Sequence, residues 1–233
     1  MTKNAYVTFL PDDNDIENII SLYYTYKKTN SLYPFIVLYC DNITNKAIKR
    51  LQDYGVTLAH IPAEKQYKND EKLGIRKNSL YPFTMVDYDK IMYVNWQNQI
   101  FLKNADILFD YQEFPLIWTW VNPNDSNEIR LKTIWYSCIP NEEVYQQMAE
   151  GMESDYIEGR VAYEVLKTHP EYKKSIIHFP IFTEYWYQGL ILTGKSNEEI
   201  EKSVDSISKK DILEYQYLYF FYGWSELLKF GLN

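Results

Sequence analysis

The feature that most restricts the fold of this chain is an alternation of short apolar runs with helix-period segments through its first half. Residues 5–10, 34–40, 56–61 and 90–94 are β-branched and aromatic runs of strand length. Between them, residues 16–28 place Ile19, Ile20, Tyr23 and Tyr24 on one helical face behind Asn14 or Asp15 as N-cap. Residues 44–54 open on Thr44 and stop at Gly55, and residues 80–88 are expected to be helical, entered through Asn78 or Ser79. Strands that alternate with helices at this spacing imply a parallel sheet covered on both faces. Such sheets bind ligands beyond the carboxyl ends of their strands. Two loops therefore stand out, residues 11–15 after the first strand and 95–99 after the fourth.

The second half is less regular. Residues 116–121, 132–139, 175–179 and 190–193 read as strands, and 142–152, 161–166 and 211–221 as helices. A further helix over 196–207 begins with a Ser196–Glu199 capping box. No internal repeat or low-complexity linker interrupts the chain, and 233 residues suit one domain.

Charge and composition exclude several classes of function. A net charge of −8 without a basic stripe lacks the electrostatic footprint of a nucleic-acid binder. Two cysteines, Cys40 and Cys138, make neither a disulfide framework nor a metal cluster. No apolar stretch is long enough to span a bilayer and the N-terminus shows no signal peptide, so no membrane partner and a cytoplasmic location are expected. Twenty-three tyrosines could stack on sugars or simply pack at half-buried sites.

Residues 88–110 carry the clearest motif: Tyr88-Asp-Lys-Ile-Met-Tyr-Val-Asn95-Trp96-Gln97, then Phe101-Leu-Lys-Asn104-Ala-Asp106-Ile-Leu-Phe-Asp110. With the opening strand at residues 4–10 and the block at 35–44, it resembles glycosyltransferase family 8, the glycogenin and galactinol synthase group. The resemblance implies an α/β GT-A fold, a mixed and mostly parallel sheet flanked by helices. It would make residues 1–110 the nucleotide-binding half and 111–233 the donor-sugar and acceptor half. It also implies retaining transfer from a UDP-sugar, with UDP-glucose the expected donor and a carbohydrate or a protein tyrosine as acceptor. A homodimer is compatible with it.

The motif departs from the family where chemistry matters most. The family holds Mn²⁺ or Mg²⁺ with two carboxylates at the positions of Asn95 and Gln97, offsetting charge on the departing diphosphate. Amides bind such cations poorly but donate hydrogen bonds to phosphate and sugar oxygens. A related retaining GT-A group uses an Asn-x-Asn variant and needs no metal. The expectation is therefore that no metal is required, with Mn²⁺ or Mg²⁺ as the alternative. A degenerate relative that binds nucleotide-sugar without turnover is the competing reading.

Thr8, Phe9, Leu10, Asp12 and Asp13 fall where the family binds uridine, and its uracil-stacking Tyr falls at Asp15. Asp12 could instead make an Asx turn. Arg76 and Lys77 could supply phosphate-binding cations or form a solvated basic turn. Trp96 could wall a sugar pocket or plug the sheet edge. The C-terminal half threads in two ways. In one, His178 is a metal or diphosphate contact. In the other, Gln188-Gly189 forms the donor-sugar strand, with Glu214 and Gln216 near the reacting carbon. The second follows the family order better.

Overall fold

The computed structural model describes residues 2–67, 72–97, 99–110, 118–121, 129–132, 135–152, 168, 186–188 and 196–207. Every residue of β1 (Asn4–Leu10) is buried, as expected of a strand with neighbours on both edges and helices on both faces. It pairs in parallel with β2 (Phe35–Tyr39) on one side and β4 (Lys90–Val94) on the other. Beyond β2 lies the parallel strand β3 (Thr57–His60). We number β5 (Gln99–Phe101), β6 (Trp118–Val121), β7 (Ile129–Lys132) and β8 (Trp135–Cys138) in chain order. The antiparallel strand β8 closes the edge beside β4, giving the order β3-β2-β1-β4-β8.

Helix α1 (Ile16–Lys28) buries Ile16, Ile19, Ile20 and Leu22; of the face read from the sequence, Ile19 and Ile20 are buried and Tyr23 and Tyr24 half-buried. Its start is more elaborate than a single cap. Asp12, rather than Asn14 or Asp15, accepts a backbone N–H, from Asn14 at 2.6 Å, and opens a 3-10 turn over Asp13–Asp15 that feeds the helix. Helix α2 (Asn45–Asp53) is capped by Thr44, whose hydroxyl accepts from the Ala47 N–H. Gly55, at φ 82°, reverses the chain into β3.

Two expectations are corrected. Residues 80–88 do not form a helix. Helix α3 is Lys72–Ser79, followed by a 3-10 turn over Tyr81–Thr84. Pro82 explains the break, because its ring would clash with the Asn78 carbonyl in a continuous helix and it disfavours α geometry at Tyr81. Of the strand expected at 132–139, Trp135–Cys138 forms β8 in the main sheet, whereas Lys132 ends β7, which among the described residues pairs with β6. The elements expected at 161–166, 175–179, 190–193 and 211–221 lie outside the described residues.

The remaining described elements are α4 (Glu142–Gly151), β9 (Trp186–Gln188) and α5 (Asn197–Asp205). Asn141 caps α4, and α5 carries the expected capping box, with the Ser196 N–H donating to Glu199 Oε2 at 2.7 Å. α5 packs on α1, where Lys28 pairs with Asp205.

Asp106, in the segment that carries the family likeness, has a structural task. Its carboxylate accepts from Tyr6 Oη at 3.0 Å, Ser31 Oγ at 2.5 Å and the Leu32 N–H at 2.8 Å. Tyr6 meets Phe101 and Phe109 edge to face beside it. One carboxylate thus ties the start of the sheet to the loop between α1 and β2.

Candidate active site

The strand order locates the site. From β1 the chain moves to β2 and β3 on one side, and then crosses to β4 on the other. The reversal opens a crevice between the carboxyl ends of β1 and β4, the usual ligand position in an open α/β sheet. The pairing of Val7 with Tyr93 runs Asn95–Gln97 alongside the end of β1. The two loops singled out from sequence are therefore neighbours in space.

The end of β1 is a floor rather than a set of side-chain ligands. Thr8, Phe9 and Leu10 are fully buried, so their side chains belong to the core. The carboxylates beyond them are engaged by the protein itself. Asp12 holds its own turn, and Asp13 accepts from the Thr44 N–H at 3.1 Å and its hydroxyl at 2.6 Å. Asn42 donates to the Pro11 carbonyl at 2.7 Å, so the loops after β1 and β2 are bound together.

Asn95 is 8% exposed, and its Oδ1 accepts the Gln97 N–H at 2.8 Å. This bond fixes which way the amide faces, because a backbone N–H needs an acceptor. The Asn95 Nδ2 donors make no hydrogen bond to described residues, and the exposed Gln97 amide makes none either. The oxygen of Asn95 is turned into the loop, so the group it leaves over is a donor rather than a cation ligand. Among the described residues no cluster of three or more His, Cys, Asp or Glu could hold a metal ion.

Trp96 is 6% exposed and meets Phe9 edge to face, with ring centroids 6.1 Å apart. Little of its ring is left to line an open pocket. Its indole N–H is buried and makes no hydrogen bond among the described residues. Burial raises the Asp15 pKa, opposed by the Asn18 amide at 3.1 Å and reinforced by the Asp12 charge.

Arg76 and Lys77 occupy the last turn of α3. The Lys77 ammonium sits 5.0 Å from the centre of the Tyr67 ring, and Asn78 braces that loop by exchanging two 2.8 Å bonds with the Tyr67 backbone. β9 pairs antiparallel with β5, setting Gln188 opposite Gln99 just beyond the Asn95–Gln97 loop. Gly189, His178, Glu214 and Gln216 lie outside the described residues. Gln99, the last residue of the loop expected at 95–99, instead opens β5, where it is 1% exposed with neither amide atom hydrogen-bonded to a described residue. The available signal was a polar residue at the head of the apolar run Gln99-Ile-Phe-Leu102.

No protein-family model and no curated protein matches the sequence. Solved structures do. The bifunctional glycosyltransferase WbbM matches over 76% of this chain, at 11% identity and a TM-score of 0.53. The glycosyltransferase GlyE of Streptococcus pneumoniae TIGR4 matches over 93% of it, at 14% identity and a TM-score of 0.52. The chain has the GT-A glycosyltransferase fold. It spans 39% of WbbM and 63% of GlyE, so each of those proteins is considerably longer than the shared part.

No helix among the described residues is long and apolar enough to cross a membrane.

Proposed function

We propose that the chain is a retaining glycosyltransferase that takes a UDP-sugar, UDP-glucose first among candidates, with little or no dependence on a divalent metal. The observation that carries this reading is the inward-facing Oδ1 of Asn95. With that oxygen bonded to the Gln97 N–H, the donors of Asn95 are left for a ligand at the crevice between β1 and β4. Donors aimed at a departing diphosphate stabilise its growing charge, the task a cation performs in metal-dependent relatives.

In the transfer, the acceptor hydroxyl oxygen bonds to the anomeric carbon as the bond from that carbon to the diphosphate breaks. The hydroxyl proton passes to the departing phosphate oxygen on the same face of the sugar. Such a reaction depends on positioning more than on a strong base. Gln188 and Gly189 are assigned to the donor sugar, Glu214 and Gln216 to the reacting centre, and Arg76 and Lys77 to the diphosphate, with His178 a diphosphate contact in the alternative threading. The acceptor is a carbohydrate or a protein tyrosine.

The test is UDP release from a panel of UDP-sugars, with EDTA or with Mn²⁺, in the wild type and in Asn95→Ala and Gln97→Ala. Release that survives EDTA and falls in both variants supports the reading. Release abolished by EDTA defeats metal independence and leaves the transferase standing. UDP binding without release from any donor assigns the chain to nucleotide-sugar binding alone.

A further inference from the structure

The buried amide of Gln99, at the head of β5, has neither its oxygen nor its nitrogen hydrogen-bonded to a described residue. Burying an amide unpaired opposes folding, so a native chain keeps one where something else supplies its partners. β5 is no loose segment that could simply turn this amide outward. Ile100 and Phe101 are buried beside it, and Thr25 Oγ1 of α1 holds the Phe101 N–H at 3.0 Å. Other vacant polar atoms gather at the same carboxyl end of the sheet. Thr8 Oγ1 near the end of β1, Asn18 Oδ1 in the first turn of α1 and Trp96 Nε1 after β4 are buried without a hydrogen bond among the described residues.

We infer that Gln99 is a specificity-determining residue that takes a hydroxyl of the donor sugar, which rests on the reading of the chain as a UDP-sugar transferase. The chemistry of the amide selects the ligand. Its nitrogen donates and its oxygen accepts, and a sugar hydroxyl can answer both roles. An ionised phosphate offers acceptors alone and would leave the Gln99 oxygen unmet. The diphosphate therefore falls to the donors of Asn95, and the sugar to Gln99, two residues beyond Gln97. The strand register sets Gln188, which we assign to the donor sugar, across from Gln99 in the β5–β9 pair.

An unpaired buried amide has already given up its water. A hydroxyl that pairs with it gains a hydrogen bond at no further desolvation cost to the protein. The same deficit in the free chain means that an apolar side chain of similar shape would stabilise the fold while weakening the donor. A resident water is the other O–H group that could meet this amide, and it implies the opposite. With the amide already paired, an apolar replacement would destabilise the fold and leave the donor alone.

The test compares the whole wild-type chain with Gln99→Met, unbranched like glutamine, and with Gln99→Leu. Titration calorimetry gives the affinity for UDP and for whichever UDP-sugar of a panel the wild type binds most tightly. Melting temperature is read without ligand. Affinity for the UDP-sugar should fall about tenfold while affinity for UDP holds, in keeping with hydrogen bonds lost to the sugar alone. The melting temperature should rise by about 2–4 °C, as removal of an unpaired buried amide implies for a chain of this length. Unchanged UDP-sugar affinity, or an equal fall for UDP and UDP-sugar, overturns the inference. A lower melting temperature with both affinities unchanged identifies a resident water only and overturns it too. Should one variant fail to fold, the other decides, and failure of both makes Gln99 structural and overturns the inference. Wild-type protein that binds neither UDP nor a UDP-sugar defeats the proposed function and this inference together. Wild-type binding that the Gln99 variants leave unaltered defeats this inference alone.

Discussion

Asn95 grips the backbone N–H of Gln97 through its side-chain oxygen at 2.8 Å, and an aspartate in its place would offer the same acceptor. Asn95→Asp should therefore keep the turn and the melting temperature. Its second oxygen would face the ligand where a donor pair stood. Affinity for UDP in EDTA should fall about tenfold or more, since an attractive contact becomes a repulsive one. Titration calorimetry with and without Mn²⁺ checks this, and Mn²⁺ should restore part of the loss.

Thr25 is the joint between α1 and β5. Its hydroxyl accepts the Phe101 N–H at 3.0 Å inside the core. Thr25→Val removes that acceptor from the core, at a cost of about 1 kcal/mol. β5 leads from the Asn95–Gln97 loop to the pairing with Gln188, so a looser joint should raise KM for the donor more than it lowers kcat. Urea denaturation gives the first quantity and initial-rate kinetics the second.

The Asp106 carboxylate serves Tyr6, Ser31 and Leu32 at once. Asp106→Ala should cost about 2–4 kcal/mol, because several donors lose their acceptor together. Asp106→Asn, which keeps one acceptor oxygen, should cost less. Tyr6 adds a dependence on pH. Burial first, and then the Asp106 charge, push its phenol pKa above the ordinary tyrosine value. The unfolded chain therefore releases that proton first, and stability is full below about pH 10 and declines as pH rises beyond it. Tyr6→Phe should flatten part of the decline in alkaline denaturation.

Gly55 holds φ at 82°, and a Cβ there would meet nothing nearer than Tyr23 Oη at 3.8 Å. The cost of Gly55→Ala is therefore conformational rather than steric, about 1–2 kcal/mol. Gly55→Asn should cost less, because asparagine tolerates the left-handed region. Chemical denaturation of the two variants separates them.

The strands and helices of the first half were legible because their signals are local. The apolar face of α1, Thr44 ahead of α2 and the burial of β1 each follow from a few adjacent residues. The helix expected at residues 80–88 failed on Pro82, whose effect on its neighbours outweighs the apolar pattern around it. Chain order alone could not separate β7 from β8, since their partners, β6 and β4, lie in different sheets.

Of the site, the two loops were readable but the use of their side chains was not. Asp12 and Asp13 look like ligands in sequence, and in the fold they hold Asn14 and Thr44. Trp96 could have faced a sugar, and it packs on Phe9. Asp15 sits at the N-cap position of α1, but its carboxylate takes the Asn18 amide rather than a backbone N–H. Each outcome depends on a neighbour distant in sequence or on another face of the chain.

The bonds from Asp13 to Thr44 and from Asn42 to Pro11 have a further consequence. Where two loops are fastened to each other before any guest arrives, the guest need not order them on entry. Little of its binding free energy is lost to freezing that side of the crevice. Selectivity on this flank then comes from shape already set, and a guest of the wrong outline meets a surface that does not bend to receive it.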